Sequence, residues 1–177
     1  MTNAMLPKAP ALQLTDINGQ PVVLGSGRKL LLSLFREATC PFCNFRVYEL
    51  THNYPGLNAL GLDMVAVFAS NEPDVLKFIA KRPRPFRMVA DPLGTAHAAF
   101  NVQHSFRGKF KAMMLRMPAL LFGMRETGMR GMATGNLMPA DILIDEHGNV
   151  VETYYGKDAG DHIPMERIAR FAGKAAD

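Results

Sequence analysis

Two cysteines stand three positions apart in Cys40-Pro41-Phe42-Cys43, and the 177-residue chain has no others. Two thiols at this spacing can close a disulfide after one has attacked an external disulfide or peroxide. The same spacing could supply half of a zinc site, or two small apolar core residues. Zinc needs four ligands, there is no second Cys-x-x-Cys, and His52, His97, His104, His147 and His162 lack the paired His-x₃₋₅-His spacing. A redox pair is the leading expectation, with no metal or organic cofactor, because the sulfurs themselves carry the electrons.

The pair lies where an apolar run, Leu30 to Phe35, gives way to a segment with helical spacing of Phe42, Phe45 and Tyr48. The first turn of a helix has main-chain N–H groups without intrahelical partners and the positive end of the macrodipole. A thiolate there is stabilised, so its pKa falls. Thr39 flanks the pair, and Pro41 fits the first helical position, where a missing N–H is harmless. Arg36 and Arg46 add positive charge, and Arg46, three residues after Cys43, would share its helical face. Glu37 could shuttle a proton, although pairing with Arg36 is the simpler expectation. These positions favour Cys40 as the exposed nucleophile toward disulfides, with Cys43 further inside the helix.

The elements that must hold this junction follow a β-α-β-α-β-α order, which implies a parallel sheet flanked by helices. Asn18-Gly19 marks a tight turn in an opening hairpin. The helix after the cysteines is expected to stop near Tyr54-Pro55-Gly56, with a strand from Leu62 to Ala69 behind it. Asn71 and Asp74 form a capping pair, with Pro73 in the first turn of a helix reaching about Lys81. A short strand (86 to 90), a short helix (92 to 101), a second hairpin around Glu146-His147-Gly148-Asn149 and a closing helix (about 163 to 171) complete the order. One domain accounts for the length.

Between them, residues 102 to 138 form an insertion with Met113, Met114, Met117, Met124, Met129, Met132 and Met138. Phe106, Phe110, Met113, Met114 and Met117 recur on one helical face, with Lys109, Lys111 and Arg116 off it; Pro118 should end or kink this helix. The leading expectation is a lid whose Met stripe packs on the domain. A flexible pocket over the thiols and a membrane-surface helix are lesser alternatives.

Between Lys81 and Arg130 ten basic residues face only Asp91 and Glu126, although the net charge is +4. Such a field suits anionic partners or a nearby thiolate, or is simply a solvated basic face. Nothing points to nucleic acid. No apolar run approaches the roughly 18 residues of a membrane span, and the first ten residues lack a basic stretch followed by a long apolar one. A cytoplasmic location is the expectation.

The hairpin, the strand-Cys-helix junction, Asp91-Pro92-Leu93-Gly94-Thr95, the run Pro139 to Val150 and the tail Tyr154 to Pro164 together resemble the peroxiredoxins. The closer match is the Cys-x-x-Cys branch of the alkyl hydroperoxide reductase/thiol-specific antioxidant group. This resemblance covers nearly the whole chain. It implies an α/β thioredoxin-like fold, a central mixed sheet flanked by helices, with an N-terminal β-hairpin and a helical Met/Arg-rich insertion. It implies an antioxidant thiol oxidoreductase acting on a peroxide or disulfide, restored by an external dithiol such as a thioredoxin- or glutaredoxin-like protein, and leaves oligomerisation open. A binding or sensor module using the same pair is the rival reading.

Two family templates disagree on the attacking sulfur. The peroxiredoxin pattern Pro-x-x-x-Thr-x-x-Cys falls on Arg36, Cys40 and Cys43, making Cys43 the peroxidatic cysteine, with Arg36 in place of proline and Cys40 in place of threonine. In thioredoxins and glutaredoxins the first cysteine attacks, which is Cys40. The fold also implies a cis-proline facing the site. Pro139 is the matching position, where the main chain of Met138 would pair with an extended substrate.

Overall fold

The computed structural model describes residues 7–129 and 134–173, so Arg130 and Met132 lie outside the described residues. Strands β1 (Leu14–Thr15) and β2 (Pro21–Val22) form the opening hairpin. The central sheet contains β3 (Lys29–Phe35), β4 (Leu62–Phe68), β5 (Arg87–Ala90), β6 (Ala140–Ile144) and β7 (Val150–Tyr155). Its order is β5-β4-β3-β6-β7: the first three run parallel, while β6 and β7 are antiparallel to their neighbours. Mixed direction follows from the connections. The helical crossovers after β3 and β4 return the chain parallel, the long connection after β5 brings β6 in antiparallel beside β3, and the five-residue link between β6 and β7 can only reverse the chain again.

β3 is the central strand and is buried along nearly its whole length. Successive side chains point to opposite faces. Leu31 and Phe35 therefore enter one core, and Leu30, Leu32 and Leu34 enter another. The first core also takes Cys40, Cys43, Val47 and Leu50 from helix α1 (Pro41–Ala59) and Ile168 and Phe171 from the last helix, α6 (Met165–Ala172). The second takes Leu14 and Val22 from the hairpin, and Ala96 from α3 (Thr95–Ala99). The thiols belong to the α1 face.

Helix α1 runs through Pro55 instead of stopping there. Burial of Tyr54 and Leu57 continues the helix past the proline, and the chain reverses at Gly61, whose φ of 88° lies in the left-handed region open to glycine. Asn71 caps α2 (Glu72–Asp74) by accepting from the Asp74 N–H at 2.9 Å. The chain continues as a π-helical turn, Val75–Ile79, that buries Val75 and Ile79.

The insertion forms α4 (Phe106–Leu115) and α5 (Met117–Thr127), and Pro118 sits in the first turn of α5 as the break between them. The apolar stripe of α4 does not pack inward. Phe106, Phe110, Met114 and Met117 are 72%, 60%, 65% and 48% exposed, and only Met113 of that set reaches the core. The face turned to the domain is made of small residues, Gly108 and Ala112. A Cβ on Gly108 would lie 2.7 Å from Met138 Sδ and 3.2 Å from the Lys157 carbonyl oxygen, so a close helix approach selects glycine there.

Candidate active site

Cys40 is the N-cap of α1, with extended backbone (φ −66°, ψ 122°), and Pro41 opens the helix. The preceding turn is tied from several sides. The Cys40 N–H donates to the Glu37 carbonyl at 2.9 Å, and the Ala38 N–H donates to Ser70 Oγ at 2.9 Å. Buried Asn44 donates from Nδ2 to the carbonyls of Ala38 (2.8 Å) and Cys40 (3.0 Å). Ser70 and Asn44 escaped the sequence reading because their role is to satisfy turn carbonyls and N–H groups, which no motif announces. Thr39 is partly buried and makes no side-chain hydrogen bond among the described residues.

Both cysteines are free and fully buried, which corrects the expectation of an exposed Cys40. The insertion is the reason. Helix α5 crosses α1 so closely at Gly123 that a Cβ there would lie 2.0 Å from the Pro41 carbonyl oxygen. Phe122 stacks its edge on Phe45, with ring centroids 5.4 Å apart. The gap between Arg36, Pro41, Phe42, Lys109, Met113 and Leu120 is a cavity of about 10 Å³, room for no more than one water.

Arg36 supplies the charge. It is 1% exposed and donates from Nη1 to Cys40 Sγ at 3.1 Å. Its other donors meet the carbonyls of Leu137 (Nε, 2.5 Å) and Gly135 and the Thr134 hydroxyl (3.2 Å). Burial opposes its charge, but the sulfurs of Cys40 and Cys43 and the Glu37 carboxylate raise its pKa. The segment 134–137 thus returns from the insertion to fix the guanidinium, a contribution that sequence spacing cannot reveal across about a hundred residues.

The two sulfurs are unequal. Burial raises the pKa of Cys40, yet the Cys43 thiol, the Arg36 charge and the Cys43 main-chain N–H outweigh it and bring Cys40 down to about 6. Burial and the adjacent Cys40 push Cys43 well up. A thiolate at Cys40 held beside a protonated Cys43 is the arrangement this geometry favours.

Other expected participants are placed differently. Arg46 leaves the pair: Nη2 donates to the Ile163 carbonyl at 2.6 Å and Nη1 lies 3.5 Å from Glu49. The Arg46 charge helps instead to lower the pKa of buried Asp141. Glu37 does not form the expected ion pair with Arg36. Its Oε1 accepts from the Gly135 N–H at 2.6 Å, and buried Oε2 has no partner among the described residues. His97 is buried and bonds the Phe35 carbonyl at 2.7 Å, a structural role. His162, without a role in the sequence reading, faces Asp141 Oδ2 at 3.0 Å in the core.

The Met138-Pro139 peptide is trans, against the expected cis bond. Met138 N–H already donates to the Gln103 carbonyl at 2.9 Å, and Pro139 carbonyl accepts from Gly156 at 2.9 Å. The Met138 N–H is thus already paired and the Met138 side chain is buried, so that N–H is not open to an extended substrate.

Among the described residues, no three His, Cys, Asp or Glu side chains cluster as metal ligands, and no helix is long and apolar enough to cross a membrane.

No curated protein matches the chain by sequence. Solved structures do match by fold. A peroxidoxin BcpB from Mycobacterium tuberculosis superposes with a TM-score of 0.66 at 16% identity, covering 94% of both chains. A candidate thiol:disulfide interchange protein DsbE from Chlorobium tepidum gives 0.63 at 22%, covering 96% of this chain and 97% of the other. A peroxiredoxin Q from Xanthomonas campestris, in a cysteine-to-serine variant, gives 0.63 at 18%, covering 87% of this chain and 88% of the other. The likeness covers most of the chain, and the fold is thioredoxin-like. Residues 7–168 match the Redoxin family, and with a match of that extent the chain belongs to it.

Proposed function

We propose that the protein is a thiol-dependent oxidoreductase in which Cys40 attacks and Cys43 resolves. The observation that carries this reading is the 3.1 Å hydrogen bond from Arg36 to Cys40 Sγ, which favours the charged form of one sulfur of the pair. The Cys40 thiolate attacks one sulfur of a substrate disulfide; that S–S bond breaks, a mixed disulfide forms, and the leaving thiolate takes a proton. Cys43, giving up its own proton, then attacks Cys40 of the mixed disulfide, closes the Cys40–Cys43 bond and releases the second substrate thiol. Two electrons pass from the protein to the substrate. An external dithiol, of the kind a reducing cytoplasm supplies, returns them.

Disulfide exchange is favoured because the sulfur matching the peroxidatic position, Cys43, is the one whose ionisation burial suppresses. Membership of the Redoxin family supports a second reading in which Cys40 attacks a hydroperoxide, forming a sulfenic acid and an alcohol, and Cys43 condenses with it to expel water. In both, the α4–α5 cover must move to admit substrate to buried sulfur.

The deciding experiment compares second-order rates of oxidation of the reduced protein by a low-molecular-weight disulfide and by an alkyl hydroperoxide, for the wild type and both single Cys→Ser variants. Oxidation of the wild type with loss in Cys40→Ser supports the reading, and the faster oxidant names the substrate class. Equal rates in wild type and Cys40→Ser would overturn it.

A further inference from the structure

Among the described residues, half of the large apolar side chains that are exposed lie between Phe106 and Met129. On α4 they form ordered columns. Phe106, Phe110 and Met114 recur every fourth residue, and Arg107, Lys111 and Leu115 make the adjoining column, all exposed. On α5 the outward column is Met117, Leu121 and Arg125. A contiguous apolar face of this kind marks an interaction surface.

Charge chooses the occupant. The segment 104–129 contains a single acid, Glu126, and that carboxylate is paired with Lys81. The outward columns thus present aromatic, thioether and aliphatic groups beside Arg107, Lys111 and Arg125, with no exposed carboxylate among them. A second copy of the chain docked by the same face would oppose like charges. A lipid surface with anionic headgroups satisfies both halves, because apolar side chains enter the acyl boundary and the guanidinium and ammonium groups stay at the phosphates.

We propose that the outer face of α4 and α5 is a docking surface for anionic lipid bilayers. The inner face of the same helices covers Cys40 and Cys43, so docking sets the cover of the thiols against the membrane. Peripheral binding requires no spanning helix and no lipid anchor.

The test is co-sedimentation of the full chain with vesicles of phosphatidylcholine alone and with vesicles in which phosphatidylglycerol replaces part of it. Binding is expected on the anionic vesicles, weakening as salt rises. Phe110→Ser with Met114→Ser, and separately Arg107→Glu with Lys111→Glu, are expected to reduce it by about tenfold or more. All four positions are exposed, so circular dichroism of each variant should match the wild type. Cys40→Ser should bind as the wild type does, which separates this surface from the redox reading. No binding to either vesicle, equal binding to both, or binding unaffected by either pair of substitutions would overturn the proposal. So would self-association that both pairs abolish without any vesicle binding, since it would assign the face to a second copy.

Discussion

Arg36 Nη1 points at Cys40 Sγ across 3.1 Å, in a pocket from which water is nearly excluded. A guanidinium and a thiolate so placed interact far more strongly than at the surface, because little solvent screens them. The carbonyls of Leu137 and Gly135 hold the arginine by its other nitrogens, so its charge is aimed at sulfur and not spent on a carboxylate.

Replacing Arg36 with methionine should raise the Cys40 pKa from about 6 by roughly one to three units. The pH dependence of iodoacetamide alkylation, followed by mass spectrometry at Cys40, measures this. Arg36→Lys should keep part of the shift. An unchanged alkylation midpoint in the methionine variant would remove Arg36 from the site.

The two sulfurs should trap differently. In Cys43→Ser, a mixed disulfide with 5-thio-2-nitrobenzoate should accumulate on Cys40, because nothing remains to resolve it. In Cys40→Ser, reaction near neutral pH should be slow, since the burial that raises the Cys43 pKa remains in that variant. Intact-mass spectra read both outcomes, and a stable adduct confined to Cys40→Ser would exchange the roles.

Asp141 is wholly buried and accepts from Ser33 Oγ at 2.6 Å, faces His162 Nδ1 at 3.0 Å and accepts from the Ile163 N–H at 2.9 Å. Burial opposes its charge, but His162 and Arg46 bring its pKa to about 2. The folded value lies below the unfolded one near 3.8, so the unfolded chain binds more protons in this range. The stabilisation is complete above about pH 4 and is lost as pH falls through about 2. Asp141→Asn should lower stability at about pH 7 by about 1 to 3 kcal/mol, because an amide N–H₂ in place of one carboxylate oxygen leaves a buried donor, the Ser33 hydroxyl or the Ile163 N–H, without its acceptor. It should also flatten the acid limb of the urea-midpoint-against-pH profile.

Gly123 tests the cover. A methyl group there would overlap the Pro41 carbonyl, so Gly123→Ala should displace α5 at a cost of roughly 1 to 3 kcal/mol. Alkylation of Cys40 in the folded protein should accelerate at constant pH. Thermal unfolding and alkylation rate together check this: a destabilised variant with unchanged thiol reactivity would mean that α5 does not gate the sulfurs.

Much of this was legible in the sequence. Apolar runs separated by helical spacing imply alternating strands and helices, and a short Gly-containing link implies the β6–β7 hairpin. The Cys pair at the end of β3 follows from the same order, as does the capping by Asn71. These are local consequences of side-chain period, proline and glycine geometry, and unpaired helix-end groups, and they hold wherever the segment is placed.

The remainder depended on what each segment packs against. Periodicity showed that Phe106, Phe110 and Met114 share a face, but not which way it turns. That was decided by Gly108 and Ala112, whose small size lets the other face approach Met138 and the Lys157 carbonyl. Burial of the thiols, the carbonyls that hold Arg36, the diversion of Arg46 and the trans Pro139 likewise arise between residues distant in the chain. A side chain's own chemistry states what it can bond, whereas the packed structure decides which partner lies within reach and whether water competes for it.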